Sequence, residues 1–444
     1  MKPIFTGKQS GLLIIYALFI YTGVFSQEKK NKYDFAQSYV GFSSQIIPGL
    51  GTTEILTDLS DPNSLQKKSL PYTYQPRLDI GGLHFWGHLD MMASIPLFGG
   101  YRFSYSDVDY HISTGFSMNI RYYPISLLKP TAFGLRPFAG LKWSDMRYWQ
   151  KVSGQERGIE LNKQILMIET GCAIEHKKYM IDLTLQWLPA NQYTYPVSRL
   201  QYGKLEFPAL SFKVGVKYLF DITAVNKKQE VINEVTQFQK YLSERKKLNS
   251  WSIGIGISEV LPVGKSSYKS KNDRSFLQNP GPMKIFPEVG FTRYFHNADL
   301  ELRLAYRPVW NKQEGYGFIH KTQRHSVSLE TFKFLFDYKG FVPFAGLGYS
   351  FNHLNLTEFD RGTKVQDISN VKFAPLLIIG WDIRPTRVEW MIIRSNIRWT
   401  PFLSMNIDGS KLQYNDVEIN FLQYVVYPDR IIKKRNFKKQ QVIN

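Results

Sequence analysis

The stretch from Leu210 to Leu219 reads LSFKVGVKYL, and the stretch from Val417 to Tyr427 reads VEINFLQYVVY. In the first, every second residue is apolar and the residues between are polar or small, which is the period of a β-strand with one apolar face. Alternation over about ten residues is typical of a strand that crosses an outer membrane, with apolar residues toward lipid and polar residues toward the lumen. A soluble sandwich would show the same period with the opposite sense, so further features are needed to separate the two.

These two stretches end two copies of one pattern. Trp399 lies 212 positions after Trp187, and the LQY triplets at 200–202 and 412–414 are separated by the same distance. The pentapeptide PFAGL occurs at both 137–141 and 343–347. Such internal self-similarity indicates a duplicated structural unit.

Each copy contains eight alternating segments, which predict eight strands. In the first copy they cover 38–48, 77–87, 89–98, 111–123, 136–145, 163–175, 179–188 and 207–219, and in the second 251–262, 284–295, 299–310, 325–337, 342–354, 373–384, 389–400 and 416–427. Short turns alternate with long polar connections, among them 311–324 and 355–372; the long stretch 124–135 departs from this rule. Unequal connections are the convention of outer-membrane barrels, with short turns in the periplasm and long loops outside. In 325–337 Lys333 falls out of phase with its phenylalanine neighbours, which predicts a bulge or a shifted register.

The remaining segments complete a domain plan. Residues 1–26 have the basic start, apolar run and small-residue end of a signal peptide. We expect the first barrel repeat at 27–220, a linker at 221–250, the second barrel repeat at 251–428 and a basic tail at 429–444. In the linker, Val231, Val235, Phe238 and Leu242 are spaced as one helical stripe, which predicts a periplasmic amphipathic helix on the inner leaflet or a barrel rim, or a simple spacer. For the tail we expect a disordered end, with anionic lipid or a periplasmic protein as alternative contacts.

The composition favours the membrane interpretation and limits the partners. Aromatic residues make up 15% of the chain, Cys172 is its one cysteine and the formal net charge is +19. An exported soluble protein of this size would often contain several disulfides. Nucleic acid is a poor partner for an exported protein, so a basic surplus points to outer-membrane lipid, lipopolysaccharide or acidic surface polymers, or serves only to keep loops soluble.

The residues on the polar faces favour two barrels over one. Within each copy the predicted inward charges nearly balance, as a narrow lumen requires, because a buried charge needs a partner. The predicted lumen ion network consists of Asp90, Arg121, Lys142, Glu169, Glu175, Asp182, Lys213 and Lys217 in the first copy, and Glu288, Glu301, Arg303, Arg307, Arg394, Arg398 and Glu418 in the second. We therefore predict an all-β fold of two tandem eight-stranded antiparallel up-and-down barrels. One sixteen-stranded barrel, which would leave an aqueous channel, is the alternative.

With these strands, unequal loops and internal charges, each copy resembles the small OmpA/OmpX-type outer-membrane barrels of Gram-negative bacteria. The resemblance covers nearly the whole mature chain and implies an outer-membrane location. It departs at the C-terminus, where such proteins usually finish on an aromatic residue of the last strand, whereas here Tyr427 is followed by the basic tail.

Candidate chemistry is sparse. His111 and Ser113 faintly resemble the His-x-Ser pair of lipid A deacylases, but the predicted phase points both toward the lumen. The loop histidines His320, His325 and His353 show no metal-ligand spacing. We therefore expect no catalytic residue, cofactor or metal site. The sequence predicts a non-enzymatic outer-membrane scaffold whose extracellular loops contact a partner or a surface polymer, with the basic tail as a second place for a protein partner. The alternatives are a passive porin or transport channel and, third, a lipid A-modifying enzyme.

Overall fold

The computed structural model describes residues 35–443 except for 57–63, 99–100, 106–107, 128–133, 155, 221–228, 265, 271–273 and 278–284. The predicted signal peptide and the first part of the predicted linker lie outside the described residues. Strands make up most of the described chain. In the first half they are β1 (Gln37–Ile47), β2 (Thr52–Leu56), β3 (Leu65–Ser69), β4 (Thr73–His84), β5 (Leu89–Pro96), β6 (Tyr101–Tyr105), β7 (Val108–Tyr122), β8 (Leu135–Val152), β9 (Leu161–His176), β10 (Tyr179–Trp187), β11 (Gln192–Pro196), β12 (Tyr202–Glu206) and β13 (Leu210–Phe220).

The second half has its own set of strands, and helices flank it. The strands are β14 (Ser250–Pro262), β15 (Ile285–Phe295), β16 (Leu300–Gly315), β17 (Phe318–Phe334), β18 (Phe341–Asp360), β19 (Thr363–Ile383), β20 (Met391–Thr400), β21 (Ser404–Ile407), β22 (Ser410–Gln413) and β23 (Asp416–Val426). The helices are α1 (Gln229–Glu244), α2 (Ser267–Ser270) and α3 (Pro428–Ile443). No helix among the described residues is long and apolar enough to cross a membrane.

Each half closes on itself. In the first half, eight antiparallel strands follow one another in the order β5, β4, β1, β13, β10, β9, β8 and β7, and β5 pairs with β7, placing Asp90 opposite Arg121. In the second half, the ring runs β14, β15, β16, β17, β18, β19, β20 and β23, and β14 pairs with β23. The prediction of two tandem eight-stranded barrels is therefore confirmed. The sixteen-stranded alternative is wrong because no strand of one ring pairs with a strand of the other among the described pairings.

Side-chain exposure alternates along the barrel strands in the sense expected in lipid. On β10 and β13 the apolar Leu183 and Val214 are exposed, whereas the charged Asp182 and Lys213 are buried in the interior. A soluble barrel would bury the apolar set instead, since removal of apolar surface from water is what stabilises such a fold. The outward apolar band is thus a lipid-facing surface.

Two hairpins of the second barrel extend beyond this band. On β17 the outward positions near the membrane are Val327 and Leu329, whereas nearer the hairpin tip they are Lys321 and Gln323. The predicted loops 311–324 and 355–372 are consequently wrong: most of their residues belong to the paired strands β16, β17, β18 and β19. Their polar outward residues resemble loop residues because this part of each strand stands in water.

The predicted irregularity at Lys333 is also wrong. The pairing of β17 with both neighbours is continuous through this residue, and Lys333 faces outward and donates to the Ala298 carbonyl. Phe332 and Phe334 are buried inside the barrel, where they pack with Phe344 at the end that carries the short turns, which by the outer-membrane convention faces the periplasm. The phase was misassigned because these phenylalanines face the lumen instead of lipid.

The C-terminal tail is a helix that packs on the linker helix. Phe437 of α3 contacts Phe238 of α1, with ring centroids 5.5 Å apart. Lys434 and Lys438 both pair with Glu234, at 3.2 and 3.1 Å. These two basic side chains lower the pKa of Glu234 although its partial burial opposes that shift. The expectation of a disordered tail is therefore wrong, because Phe437 supplies an apolar anchor for the charged helix.

Candidate functional site

The interior of the first barrel contains a buried ion network. Arg121 pairs with Glu169 at 2.9 Å and with Asp182 at 3.1 Å, and Lys217 links Asp182, at 3.2 Å, to Asp90, at 3.4 Å. All of these side chains are at most 1% exposed. The inward side chains of different strands meet across the narrow lumen, so each of these charged groups lies close to a group of opposite charge. They tie together β5, β7, β9, β10 and β13.

Two further residues that the sequence predicts to belong to this network, Lys142 and Glu175, have no described salt bridge. The Lys142 ammonium donates to the side-chain oxygens of Gln45 and Gln186, at 3.0 and 3.2 Å, and forms no described salt bridge. Gln186 in turn donates to Glu169, so Lys142 joins the network through amides. Glu175 lies half-buried near the periplasmic end of β9, without a described ion pair.

In the second barrel the network is built on arginines. Both oxygens of Glu288 accept from Arg398, at 2.8 and 2.7 Å, and one also accepts from Arg303. Arg307 connects Glu330, at 2.5 Å, with Glu418, at 3.1 Å. Because a guanidinium presents its donors in a planar fork, one arginine holds two carboxylates in fixed positions.

A second arginine cluster lies nearer the periplasm. Arg394 contacts Asp382 through two donors, at 2.7 and 2.8 Å, and reaches Glu301 at 2.7 Å. Beneath it the lumen is filled by the cluster that contains Phe332, Phe334 and Phe344. An equivalent apolar cluster, which includes Tyr39 and Phe138, closes the periplasmic end of the first lumen. Neither lumen therefore presents a water-filled path at this level.

Fourteen of the fifteen predicted lumen residues are at most 2% exposed, and Glu175 is the exception. The prediction missed six buried charges that belong to the same networks: Arg77, Asp79, Arg324, Glu330, Asp382 and Asp416. Period-two counting from Asp90 or Arg394 along paired strands would have found Asp79 and Asp382. Glu330 was missed because of the assumed shift at Lys333, and Arg324 and Asp416 lie at or beyond predicted strand ends.

Both extracellular mouths are covered by folded segments. Over the first barrel, β11, β12, β2 and β3 form a four-stranded sheet, and a large apolar cluster that includes Ile55, Tyr148 and Leu205 fills the space beneath it. Over the second barrel, α2 and the β21–β22 hairpin pack Tyr268 and Met405 against Leu354. The mouths are thus closed by apolar cores of their own.

Glu358 fastens the cover of the second mouth. Its carboxylate accepts from Tyr268, at 2.8 Å, from Arg274, at 2.9 Å, and from His320 Nδ1, at 2.7 Å. Burial acts to raise the pKa of Glu358, but the hydrogen bonds from His320, Arg274 and Tyr268 hold it below its ordinary value. Burial lowers the pKa of His320 to about 4, so the ring is neutral at physiological pH. This cluster lies on the hairpin extensions above the apolar band.

The other candidate histidines, His111, His325 and His353, lie outside this cluster. His325 and His353 face outward and contact Tyr306 and Ser369. The predicted phase of His111 and Ser113 is wrong: a bulge between Thr114 and Ser117 shifts the register of β7, so both face outward, and His111 stacks on Trp149. Ser113 Oγ lies 3.2 Å from His111 Nε2. Among the described residues no group of three His, Cys, Asp or Glu side chains could hold a metal.

The two barrels contact each other along their length. Within the apolar band, Phe116 and Met118 of β7 pack with Ile419 and Phe421 of β23. Above it, Arg199 forms a two-donor pair with Asp360, at 2.6 and 3.1 Å. The Tyr316 hydroxyl donates to the Pro196 carbonyl at 2.5 Å. The extracellular structures of the two barrels therefore form one joined surface.

Comparisons with known proteins found matches among solved structures only. No protein-family model and no curated protein matches the chain. Among solved structures it is similar to Neisserial surface protein A, with 13% identity, a TM-score of 0.27, and 40% of this chain and 96% of that chain covered. The attachment invasion locus protein Ail of Yersinia pestis, solved with the heparin analogue sucrose octasulfate, shows 15% identity, a TM-score of 0.24, and 40% and 96% coverage.

A larger solved barrel matches across both halves. This outer-membrane channel from Pseudomonas putida F1 shows 6% identity and a TM-score of 0.20, and the match covers 88% of this chain and 95% of that chain. The architecture itself rests on the closed strand rings and the outward apolar faces. The protein is an outer-membrane β-barrel protein.

Proposed function

We propose that this protein is a non-enzymatic outer-membrane surface protein, in which two closed barrels support an extracellular platform that contacts surface polymers or a partner. The observation that carries the proposal is that both lumens are filled and both mouths are covered. A passive porin needs an aqueous channel, for which a filled eight-stranded barrel has no room. The surface outside the lumens is what remains for a function.

Charge favours an anionic polymer as the class of partner. The described lumen networks contain Arg77, Arg121, Lys142, Lys213, Lys217, Arg303, Arg307, Arg324, Arg394 and Arg398, balanced by Asp79, Asp90, Glu169, Asp182, Glu288, Glu301, Glu330, Asp382, Asp416 and Glu418. Because these ten basic and ten acidic side chains cancel, the basic surplus of the chain lies outside the lumens. Charged surfaces attract oppositely charged polymers over several ångströms of solvent.

The four-stranded sheet over the first mouth supplies one such surface. Lys67 and Lys204 are exposed and flank Glu54 in a row across β3, β2 and β12. The Glu54 carboxylate accepts from the Lys204 backbone N–H at 2.7 Å, and neither lysine forms a salt bridge among the described ion pairs. We expect the double variant K67E/K204E to elute from a heparin column at a lower NaCl concentration than the wild-type protein.

The matched control is K240E/K246E, which changes the net charge equally, because Lys240 and Lys246 are exposed in the linker at the other end of the molecule. If K67E/K204E elutes with the wild type, or if K240E/K246E shifts the elution as strongly, the assignment of this face is wrong.

The enzymatic alternative has its own test. Ser113 is 3% exposed, so its hydroxyl has little access to a lipid ester. We expect cells that express the wild type and cells that express H111A to contain lipid A of the same mass. A lipid A species that loses one acyl chain only with the wild type would show that the protein is a deacylase.

A further inference from the structure

The extracellular end of the second lumen contains a cavity of about 70 Å³. It lies above the Arg324–Asp416 pair and beside the helix α2, and its walls include Phe286, Tyr414 and Leu412. A cavity needs about 10–15 Å³ of such space to hold one water, so this cavity has room for several heavy atoms of a ligand. It lies on the extracellular side of the ion network and the aromatic cluster, which fill the lumen below it.

Four polar atoms of residues that line this cavity have no hydrogen-bond partner among the described residues. They are Asn311 Nδ2, His320 Nε2, Arg324 Nε and Asn415 Oδ1. His320 and Arg324 are nearly inaccessible to bulk water, at 0% and 2% exposure. Buried polar atoms are almost always hydrogen-bonded and an unmatched one destabilises the fold, so four among the residues that line one cavity indicate an occupant.

The four atoms differ in hydrogen-bonding role. Asn311 Nδ2 and Arg324 Nε are donors, and Asn415 Oδ1 is an acceptor. His320 Nδ1 donates to the Glu358 carboxylate, so in the neutral ring Nε2 is an acceptor. Two donors and two acceptors therefore surround the same space.

This set suits hydroxyl groups better than ions. An anion would meet the His320 Nε2 lone pair, the Asn415 oxygen and the Asp416 carboxylate, while a cation would meet Arg324 and Lys269. A hydroxyl group both donates and accepts, so it satisfies either kind of atom. The charge of Arg324 is already compensated, since it contacts both Asp416 and Glu418, and the Lys269 ammonium donates to the Gln313 side-chain oxygen at 2.8 Å.

We propose that this cavity binds a neutral polyhydroxy group, either a small polyol or the end of a sugar residue. Its hydroxyls would accept from Asn311 and Arg324 and donate to His320 and Asn415, and the Tyr414 and Phe286 side chains would cover the carbon skeleton. The site lies in the second barrel and is independent of the anionic-polymer surface proposed on the first.

The test uses the full chain in a detergent without sugar headgroups, such as lauryldimethylamine oxide. Saturation-transfer NMR with glycerol, D-glucose and sodium acetate as separate probes should show transfer to glycerol or glucose and none to acetate. N311A and N415A should each weaken the affinity at least fivefold. H353A should bind as the wild type, because His353 lies on the outward face of the neighbouring strand.

The results of these measurements would distinguish which molecule occupies the cavity and where that molecule comes from. Competition by purified lipopolysaccharide would show that a sugar end of the polymer enters the site, whereas binding without competition would assign it to free polyols. Transfer to acetate alone, or no transfer to any probe from protein that retains its heat-modifiable mobility on gels, would overturn the proposal and leave water as the occupant. Equal binding by wild type, N311A and N415A would overturn it as well.

Discussion

The two barrels neutralise the charges buried in their lumens with different side chains. The first lumen has Arg121, which bridges Glu169 and Asp182, but it otherwise relies on lysines and side-chain amides: Lys213 and Lys217 each offer one ammonium group, and Gln45 and Gln186 connect Lys142 to the rest. The second relies on arginine forks, with Arg398 and Arg394 each making two or more contacts to carboxylates. The fork fixes both geometry and charge, so we expect the second lumen to be the more stable and the less tolerant of substitution.

The covers of the two extracellular mouths also differ in the kind of interaction that holds them in place. The cover of the first barrel rests on an apolar cluster that includes Ile55 and Leu205, whereas Glu358 and its three donors fasten that of the second. Apolar packing is insensitive to pH, while a buried ionic cluster depends on the protonation of its members. The stability of the second cover should therefore respond to pH changes that leave the first cover unchanged.

The largest effect should come from Glu288, the carboxylate on which the second network centres. Glu288→Gln leaves Arg398 and Arg303 without their principal partner, and breaking a buried pair costs about 3–5 kcal/mol. Urea-induced unfolding, followed by loss of the heat-modifiable band, measures the change. Glu314→Gln is the control because Glu314 is half-exposed and pairs only with Lys312 among the described ion pairs; an equal loss for both variants would refute the importance of the network.

The next effect concerns the second mouth and pH. The folded-state pKa of His320, about 4, lies below its unfolded value of about 6.5, so the protonated ring is favoured in the unfolded cover. Stability of the cover is present above about pH 6.5 and is lost as the pH falls toward 4, by up to about 3 kcal/mol. Amide exchange of Ser267–Ser270, corrected for its intrinsic rate, should rise over this range, and exchange of Thr52–Leu56 over the first mouth should not. H320Q should abolish most of the dependence; an unchanged profile would contradict this account.

A conservative substitution tests whether the planar shape of the arginine side chain contributes to stability beyond its charge. Arg398→Lys keeps the charge but cannot make both contacts to Glu288, so we expect a loss of about 1–3 kcal/mol in the free energy of unfolding. The control is Arg435→Lys, on an exposed turn of α3. If Arg398→Lys is as stable as the wild type, charge alone accounts for the second network.

The smallest effect should come from Lys142, the cation that contacts only amides. Lys142→Met removes a buried charge together with its desolvation cost, so we expect a change within about 1 kcal/mol in either direction. Lys213→Met provides the contrast, because it leaves Asp79 without the ammonium group that lies 2.8 Å away. Similar losses for the two variants would show that the first lumen does not discriminate between ionic and amide partners.

The sequence predicted the barrels well because strand period and residue polarity are local properties. Asp182 and Lys213 alternate with apolar neighbours, and their placement inside requires only the two-residue repeat. The prediction failed where tertiary structure changes the phase. The bulge after Thr114 turns His111 outward, and the lumen-facing Phe332 resembles a lipid-facing residue in the sequence.

The candidate site was harder to predict than the barrels. His320 and Glu358 are 38 residues apart and occupy stretches that appear polar enough to be loops, yet they face each other across paired strands. The cavity beside them also needs Asn311 from β16 and Asn415 from the connection that precedes β23. Only the register of the extended hairpins brings these residues together, and no spacing in the sequence encodes it.

The central claim is that both barrels are closed and filled, so that the protein acts through its surface. Single-channel recording of the purified full chain in planar bilayers tests it most directly. We predict no stable conductance steps at either polarity for the wild-type protein. Glu288→Gln serves as a comparison, because it disturbs the ion network that fills the second lumen. Stable openings of the wild-type protein, of the size that a water-filled channel produces, would contradict the claim.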